Sequence, residues 1–268
     1  MPPKLLIYIV SYQRKSYTQG TIECITRVQP PNSQIIVCDN GSTDGTREWL
    51  KENQEKFNLG LLFPEENLRV PGAWRLITNY FSENDFDYIL PLDNDNWMLP
   101  DEEWFEKCLE IFNFDPKICS LGIHKERKPG TIVFERQLDF NYNNKKPFNN
   151  ELEYYDTVLY AGARIDKFPI FHKVMRDWPH EFIGDKIGRS YNSLGYRTIK
   201  ITPGFIIDIS ETNFNNPQHQ EYNKWFFEKE RDGATGSSYL HKLSSSWDLE
   251  STQKFIEKNF GKKYLKYL

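Results

Sequence analysis

Residues 88–99, with the sequence YILPLDNDNWML, join a strongly apolar run to a cluster of acid and amide side chains. The apolar run at residues 86–92 is typical of a strand that is buried on both faces of a sheet. The polar residues 93–96 (DNDN) follow directly at its carboxyl end. Because buried polar groups without partners destabilise a fold, this DNDN cluster must lie at an edge of the sheet.

Strands and helices alternate through the first 112 residues. Short apolar runs predict strands at residues 5–10, 34–38, 59–63 and 86–92. The segments between and after them predict helices at residues 18–28, from residue 46, and at residues 71–81 and 101–112. Continuous apolar strands that alternate with helices are typical of a parallel, doubly wound sheet.

Polar side chains follow three of these strands. Ser11-Tyr12 comes after the first strand, Asp39-Asn40 after the second and the DNDN cluster after the fourth. In sheets of this kind, ligands bind beyond the carboxyl ends of the strands. We therefore expect the three clusters to form one binding rim.

Asp93 and Asp95 are separated by one residue in the predicted turn. Two carboxylates at this spacing suit a hard cation such as Mg²⁺ or Mn²⁺ that also carries phosphate oxygens. Such a cation offsets the charge that builds on a departing diphosphate. The alternative is an Asx-rich turn that caps the helix beginning at Asp101.

The second half of the chain is less regular. Strands are predicted at residues 131–140, 154–161, 196–201 and 203–210, and helices at residues 185–193, 220–231 and 249–259. An Asn- and Lys-rich stretch at residues 141–150 is predicted to be a mobile loop. Because neither an internal repeat nor a clean linker is visible, we expect one mixed α/β domain over residues 1–268.

Composition and charge narrow the function classes. The net charge of −4 argues against a broad nucleic-acid footprint, although it leaves room for a local basic patch. The four cysteines form no CxxC pair. We therefore expect reduced, buried thiols in a cytoplasmic protein rather than a zinc site.

Membrane association is expected to be absent or peripheral. No apolar run reaches the roughly 18 residues that a spanning helix needs, which predicts a soluble protein. Residues 258–268 mix four lysines with aromatic residues and leucines. A solvated last helix is the favoured interpretation, and a peripheral membrane contact by this tail is the alternative.

Residues 35–46, IIVCDNGSTDGT, are the most specific motif of the chain. They resemble the strand and Asp-Asp-Gly-Ser-x-Asp-Gly-Thr loop of nucleotide-sugar glycosyltransferases of the GT-A fold, in particular family 2. Residues 7–14 (IYIVSYQR) resemble the family's opening strand, which ends in Thr/Ser-Tyr-Asn-Arg, and residues 93–95 (DND) resemble its DxD motif. Residues 67–74 (NLRVPGAW) resemble the stretch that leads into the donor-side helix.

The resemblance implies an α/β fold of the GT-A type, a Rossmann-like mixed sheet whose parallel N-terminal half is flanked by helices. It implies an inverting transfer of a sugar from a nucleoside diphosphate sugar, expected to be a UDP-sugar, to an acceptor hydroxyl. The expected cofactor is Mn²⁺ or Mg²⁺. Residues 1–112 would form the nucleotide-sugar-binding half, residues 113–215 the acceptor and catalytic half, and residues 216–268 a C-terminal helical segment.

Donor-binding residues carry over where the motifs match. Asp39 would accept a hydrogen bond from the base, since uracil offers an N–H. Arg69, Trp74 and Arg75 lie where donor contacts are expected, and the alternative is a solvated or packed helix start. The full set of expected nucleotide and donor contacts is Ser11, Tyr12, Arg14, Asp39, Asn40, Arg69, Trp74, Asp93 and Asn94.

The same resemblance assigns the metal ligands. Asp95 is expected to bind the metal together with Asp93, which also faces the ribose or the sugar. His219 is a candidate third ligand, and Asp208 is another. The alternative for His219 is plain solvation, as for most single histidines in polar loops.

The catalytic base is harder to assign, because the family's Glu-Asp pair is absent. Residues 157–168 and 180–198 match the surrounding layout, and Gly195 with Tyr196 matches the Gly-Tyr that follows the base. Asp185 is the first candidate for the base that takes the acceptor proton, and Glu181 is the second. The alternative role for Asp185 is a helix N-cap or first-turn acid.

The acceptor is the least readable partner. Aromatic residues could stack on a sugar ring, although core packing is favoured for each of them; they are Trp178, Phe214, Tyr222, Trp225 and Phe226. The acceptor could be a glycan, a lipid-linked glycan, a protein side chain or a modified base in DNA. Residues 141–150 or 212–220 could close over the donor as a lid.

Two other function classes stay open at this point. A sugar-nucleotide nucleotidyltransferase can share such a sheet, but it needs a Gly-rich phosphate loop after the first strand, and residues 11–20 contain one glycine. A nucleotide-sugar or glycan-binding protein on a degenerate scaffold of the same fold is the second alternative. The missing Glu-Asp pair is what favours it.

Overall fold

The computed structural model describes residues 2–124, 153–156, 163–177, 186–202, 204–209 and 249–268. The elements of the first half are β1 (Leu5–Ser11), α1 (Lys15–Val28), β2 (Ser33–Asp39), α2 (Thr46–Phe57), β3 (Leu59–Leu62), α3 (Arg69–Tyr80), β4 (Tyr88–Asp93), β5 (Asn96–Met98) and α4 (Trp104–Phe114). Those of the second half are β6 (Ile118–Gly122), β7 (Glu153–Asp156), β8 (Arg164–Lys167), α5 (Phe168–Arg176), α6 (Lys186–Ser193), β9 (Arg197–Thr202), β10 (Ile206–Asp208), α7 (Leu249–Asn259) and a C-terminal 3₁₀ helix (Lys262–Tyr267).

The described strands form one mixed sheet and a small ribbon. The order in the main sheet is β3-β2-β1-β4-β8-β6-β9-β7. Strands β3, β2, β1 and β4 are parallel to their neighbours in this group, whereas β8 runs antiparallel to both β4 and β6. β5 and β10 pair separately in an antiparallel ribbon. The parallel N-terminal half predicted from the sequence is therefore confirmed.

Helices cover both faces of the sheet. β1 lies between β2 and β4, and all of its residues are buried. Its side chains alternate between the faces, as strand geometry requires. Ile7 and Ile9 pack with α1, α2 and α4 in one core cluster, and Leu6 and Tyr8 pack with α3, α5 and α6 in another. This burial on both faces explains the continuous apolar strands in the sequence.

The C-terminal segment belongs to the folded domain. Phe260, Tyr264 and Tyr267 are buried in a third core cluster, together with residues of α1, β5 and β10. A peripheral membrane contact would need these aromatic side chains at the surface. Because these aromatic side chains are buried, they favour the interpretation of a tail that packs on the protein. The lysines of the tail remain in solvent. Within the described residues, none of the helices combines the length and apolar character required to cross a bilayer.

Several predicted elements are described only in part or have different bounds. The strand predicted at residues 154–161 is described as β7 (Glu153–Asp156), and the strand predicted at 203–210 as β10. The sequence did not anticipate β6, β8 or α5. The strand predicted at 131–140, the loop at 141–150 and the helix at 220–231 lie outside the described residues.

Candidate active site

The carboxyl ends of β1, β2 and β4 meet at one rim of the sheet. Ser11 at the end of β1 is in register with Asp39 at the end of β2. Val10 is in register with Asp93 at the end of β4. The backbone N–H of Asn40 donates to the carbonyl oxygen of Ser11 across this row, at 2.8 Å. The three polar clusters predicted to converge are thus brought together.

Asp39 is a buried carboxylate that accepts hydrogen bonds through only one of its two oxygens among the described residues. Oδ1 accepts hydrogen bonds from the backbone N–H groups of Gly41 (3.2 Å) and Ser42 (3.0 Å) and from Nε of Arg47 (2.7 Å). Oδ2 has no hydrogen-bond donor among the described residues. A buried acceptor without a partner costs free energy, so this oxygen is a candidate to accept a hydrogen bond from a ligand. Because the Asp39 side chain has no exposed surface, side chains around it must shift before a ligand reaches Oδ2.

Arg47 was not predicted as a site residue. It lies in the first turn of α2, and its guanidinium also donates to the carbonyl oxygens of Asp39 (3.0 Å) and Pro64 (2.7 Å). These bonds fix both the carboxylate of Asp39 and the end of β2. The sequence signal that could have found Arg47 is its place in the helix that begins just after the loop of residues 40–45 that follows β2.

Arg14 contacts the loop that follows β4, residues 93–96, which is called the acidic loop below. Its NH1 nitrogen donates to Oδ2 of Asp95 at 2.7 Å, and its NH2 nitrogen donates to Oδ1 of Asn94 at 2.6 Å. The side chains of Arg14 and Asp95 are each only 6% exposed. Gln13 and Arg14 both have positive φ, of 55° and 57°. This left-handed backbone, which is unfavourable for residues other than glycine, directs the chain from β1 into the turn that carries Arg14.

Asn94 is bonded inside the protein. Its Nδ2 donates to the backbone carbonyl oxygen of Gln13 (2.9 Å) and to Oγ1 of Thr18 (3.1 Å). The backbone carbonyl oxygen of Asn94 accepts from Oγ1 of Thr21 (2.8 Å). These bonds attach the acidic loop to α1. A donor contact by the Asn94 side chain stays a prediction, and its amide must leave one of these partners to make it.

Asp93 and Asp95 face different surroundings. Asp93 is exposed at the rim, whereas Asp95 is buried and paired with Arg14. Asp208, the alternative third metal ligand, is half-buried and in register with Asn96 across the ribbon of β5 and β10. It therefore lies beside the acidic loop. Within the described residues, no group of three or more acid, His or Cys side chains is close enough to hold a metal.

The donor set nevertheless fits a hard cation. Mg²⁺ and Mn²⁺ prefer oxygen ligands and are commonly held by one or two carboxylates plus phosphate. Asp93 and the second carboxylate oxygen of Asp95 could supply oxygen ligands of this kind. Since Oδ2 of Asp95 already accepts from Arg14, Asp95 offers one oxygen rather than two.

The start of α3 lies next to the Asp39 loop. Nδ2 of Asn40 donates to the carbonyl oxygen of Arg69 at 3.3 Å, and the Arg69 side chain is exposed. Trp74 is 9% exposed, with the guanidinium of Arg164 over its ring at 4.8 Å and Phe171 at 6.2 Å. Its surroundings are those of the packed alternative, whereas a donor contact by the exposed Arg69 stays a prediction. Tyr12 and Arg75 are half-buried.

The remaining candidates lie in other parts of the chain. Asp185, Glu181 and His219 lie outside the described residues, so their roles as base and third ligand stay predictions. α6 begins at Lys186, directly after Asp185. The aromatic residues expected at the acceptor side also lie outside the described part, and they are Trp178, Phe214, Tyr222, Trp225 and Phe226. The four cysteines are free and buried, as predicted.

Comparisons with known proteins identify relatives by sequence. The model of glycosyl transferase family 2 matches residues 6–174, which is more than half of the chain. Glycosyltransferase GlyA of Streptococcus pneumoniae is 28% identical over 109 residues. That match covers 40% of this chain and 15% of GlyA, so the chain spans a small part of this relative.

Solved structures share the fold. S. aureus TarS 1–349, in complex with UDP-GlcNAc, has a TM-score of 0.55 and 12% identity, covering 76% of this chain and 58% of that one. The mannosyltransferase PcManGT from Pyrobaculum calidifontis, in complex with GDP-Man and Mn²⁺, has a TM-score of 0.58 and 14% identity, covering 100% of this chain and 73% of that one. The likeness confirms the predicted α/β fold of the GT-A type. The family match over residues 6–174 establishes that the chain belongs to glycosyl transferase family 2.

Proposed function

We propose that this protein is an inverting, metal-dependent glycosyltransferase that moves a sugar from a nucleoside diphosphate sugar to an acceptor hydroxyl. The observation that carries the proposal is the pair of buried acids at one rim, each fixed by an arginine through a single oxygen. Arg47 binds Oδ1 of Asp39 and Arg14 binds Oδ2 of Asp95, both at 2.7 Å. One carboxylate oxygen of each acid is left for a ligand.

Asp39 is the proposed contact to the nucleoside. Its Oδ2 lacks a donor among the described residues, and a base N–H is the donor that would complete it. Uracil presents a single such N–H on its pairing edge, and we therefore expect a UDP-sugar. The solved relatives were obtained with UDP-GlcNAc or GDP-Man, so the choice between uracil and guanine is the first thing to measure.

The acidic loop is the proposed cation and diphosphate site. Asp93 and Asp95 would hold Mn²⁺ or Mg²⁺, with Asp208 or His219 as a third ligand. When bound, the cation stabilises the negative charge that develops on the departing diphosphate. The structure of PcManGT with GDP-Man and Mn²⁺ supports a manganese test here. Arg14 binds Oδ2 of Asp95 and so sets the direction of this carboxylate. A cation would therefore bind Asp95 through the other oxygen.

The proposed base is Asp185, with Glu181 as the second candidate. A carboxylate in this position takes the proton of the acceptor hydroxyl as that oxygen attacks the anomeric carbon, and the displacement inverts the anomeric centre. The acceptor class, whether glycan, lipid-linked glycan, protein or modified base, is open. The four free, buried cysteines support a reducing compartment such as the cytoplasm.

The structure supports a transferase over a nucleotidyltransferase. The one glycine after β1, Gly20, lies inside α1 and packs against Trp97. It is therefore not part of a glycine-rich phosphate loop. A binding protein without activity is distinguished by donor hydrolysis, since steady release of sugar in the presence of metal requires an enzyme.

The experiment is a thermal-shift screen of UDP, GDP and CDP, each with and without Mn²⁺. Ligand linkage at 100 times Kd stabilises a protein by about 2.7 kcal/mol, and UDP with Mn²⁺ is expected to give the largest rise in Tm. Asp95→Asn should remove the metal-dependent part of the rise. The matched control is Asp87→Asn, which changes an exposed aspartate just before β4, at the opposite end of that strand. Equal shifts in the Asp95 and Asp87 variants would contradict the metal role of Asp95.

A further inference from the structure

Trp97 lies directly behind the acidic loop. It is the middle residue of β5 and follows Asp95 by two positions. Its side chain is fully buried. The ribbon that contains it pairs Trp97 with Ile207 of β10, and the N–H of Ile209 donates to the carbonyl oxygen of Asp95 at 2.9 Å. A shift of the Trp97 ring would therefore move the backbone that carries Asp95.

Aromatic rings of the C-terminal segment cover one side of Trp97. Ring centroids of Phe260, Tyr264 and Tyr267 lie 5.5, 5.9 and 6.1 Å from that of Trp97. These distances are within the range in which aromatic pairs stabilise each other beyond their burial. On the α1 side, a Cβ built on Gly20 would come within 2.3 Å of Cζ2 of Trp97. Trp97 is thus held between α1 and the C-terminal segment, with no room for a larger residue at position 20.

The C-terminal segment is itself attached to α1. The hydroxyl of Tyr267 donates to Oε1 of Glu23, and Nζ of Lys266 lies 3.8 Å from the same oxygen. The guanidinium of Arg27 lies over the Tyr264 ring at 5.5 Å. α1 also carries Thr18 and Thr21, which bond Asn94 in the acidic loop. One helix therefore supports the loop and the segment that packs behind it.

We propose that residues 249–268 act as a clamp that holds the acidic loop in place through Trp97. These residues lie beyond the region that the family model matches. Phe260, Tyr264 and Tyr267 are positioning residues in this proposal, because they act on Asp95 only through Trp97. The consequence for donor binding rests on the proposed function, whereas the effect on the loop does not.

The test compares Phe260→Leu and Tyr264→Leu with the matched control Phe112→Leu. Phe112 is as buried as Phe260, at 2% against 5% exposed. It packs on Tyr88 at the amino end of β4, away from the acidic loop. All three changes replace a buried aromatic ring by leucine, so all three lower Tm. Only the two clamp variants should loosen the loop.

The first readout is hydrogen exchange of residues 93–98 in the ligand-free protein, well below Tm. Local opening of the loop should raise its exchange about tenfold in both clamp variants, while β2 exchanges as in the wild type. The second readout is the Kd for UDP with Mn²⁺, which should rise by a similar factor of about ten in the clamp variants and stay unchanged in Phe112→Leu.

Wild-type exchange of residues 93–98 in both clamp variants would overturn the proposal, as would equal acceleration in Phe112→Leu. If the wild-type protein binds neither UDP nor Mn²⁺, the proposed function fails, and the exchange comparison still decides whether the clamp exists. Faster exchange of the loop with an unchanged Kd would overturn the positioning role.

Discussion

The buried pair of Arg14 and Asp95 allows a quantitative test of how the acidic loop is held. The perturbations are Arg14→Met, Asp95→Asn and the two combined. The charged atoms are 2.7 Å apart and both side chains are 6% exposed, so removal of the arginine leaves a buried, unpaired carboxylate. Breaking a buried pair in this way costs about 3–5 kcal/mol. Methionine keeps a Cβ at the position with φ of 57°, so the backbone strain is the same in both proteins.

Asp95→Asn should cost less, about 1–3 kcal/mol, because Arg14 keeps its bond to Oδ1 of Asn94. In the double variant, neither charged group is left buried without its partner. The double variant should therefore be more stable than the sum of the single changes predicts, by about 2 kcal/mol of coupling. The assay is urea unfolding at pH 7 of the wild type and all three variants. Additive effects within about 0.5 kcal/mol would refute the reasoning.

The same variants show whether Arg14 supports or competes with a cation. Arg14 holds one oxygen of Asp95, and we expect its loss to misplace the other. Arg14→Met should therefore weaken the Mn²⁺-dependent rise in Tm with UDP, even though it removes a positive charge from the site. Tighter Mn²⁺ binding by Arg14→Met would show instead that the guanidinium and the cation compete for the carboxylate.

Three further outcomes are expected. Gly20→Ala should lower the free energy of unfolding by about 1–3 kcal/mol, because the clash with Trp97 outweighs the gain of about 1 kcal/mol in helix propensity; an unchanged or higher Tm would contradict the tight packing. Asp185→Asn should fold normally and lose transfer by about 10²–10⁴, and near-normal turnover would move the role to Glu181. Burial raises the pKa of Cys38 from 9.0 to about 11, so the thiol ionises first in the unfolded chain and the free energy of unfolding falls as pH rises from 9 towards 11. Cys38→Ala should lose less stability over this interval than the wild type. Parallel curves of stability against pH for the two proteins would refute this role of Cys38.

The sequence predicts the first half of the fold well, because both faces of its strands are buried. A strand such as β1, with all residues buried, leaves an apolar run that no solvent-facing pattern interrupts. β8 was missed for the opposite reason. Arg164 and Asp166 are buried in this strand at 3% and 0% exposed, and they are charged residues that a sequence pattern assigns to the surface. Their ion pair at 2.8 Å and the bond from Tyr191 to Asp166 make this burial possible.

The site was predictable at the level of the rim but not of its contacts. Strand ends in a parallel sheet must meet, so the positions of Asp39 and Asp95 followed from the strands alone. The arginines that bind them did not. Arg14 reaches Asp95 across 81 positions of sequence, and its approach depends on two consecutive residues with positive φ. No local pattern identifies such a turn when neither residue is glycine.

The two arginines explain how a rim with several acids can receive an anionic ligand. Asp39, Asp93 and Asp95 lie at the ends of neighbouring strands, and unpaired carboxylates there would repel one another and a diphosphate. Arg47 and Arg14 each offset one charge from within the protein, and Asp93 is the exposed acid of the three. Each arginine also fixes one carboxylate oxygen and directs the other. Under the proposed function, the preference for base and cation would therefore depend on the direction of two carboxylate oxygens rather than on total charge.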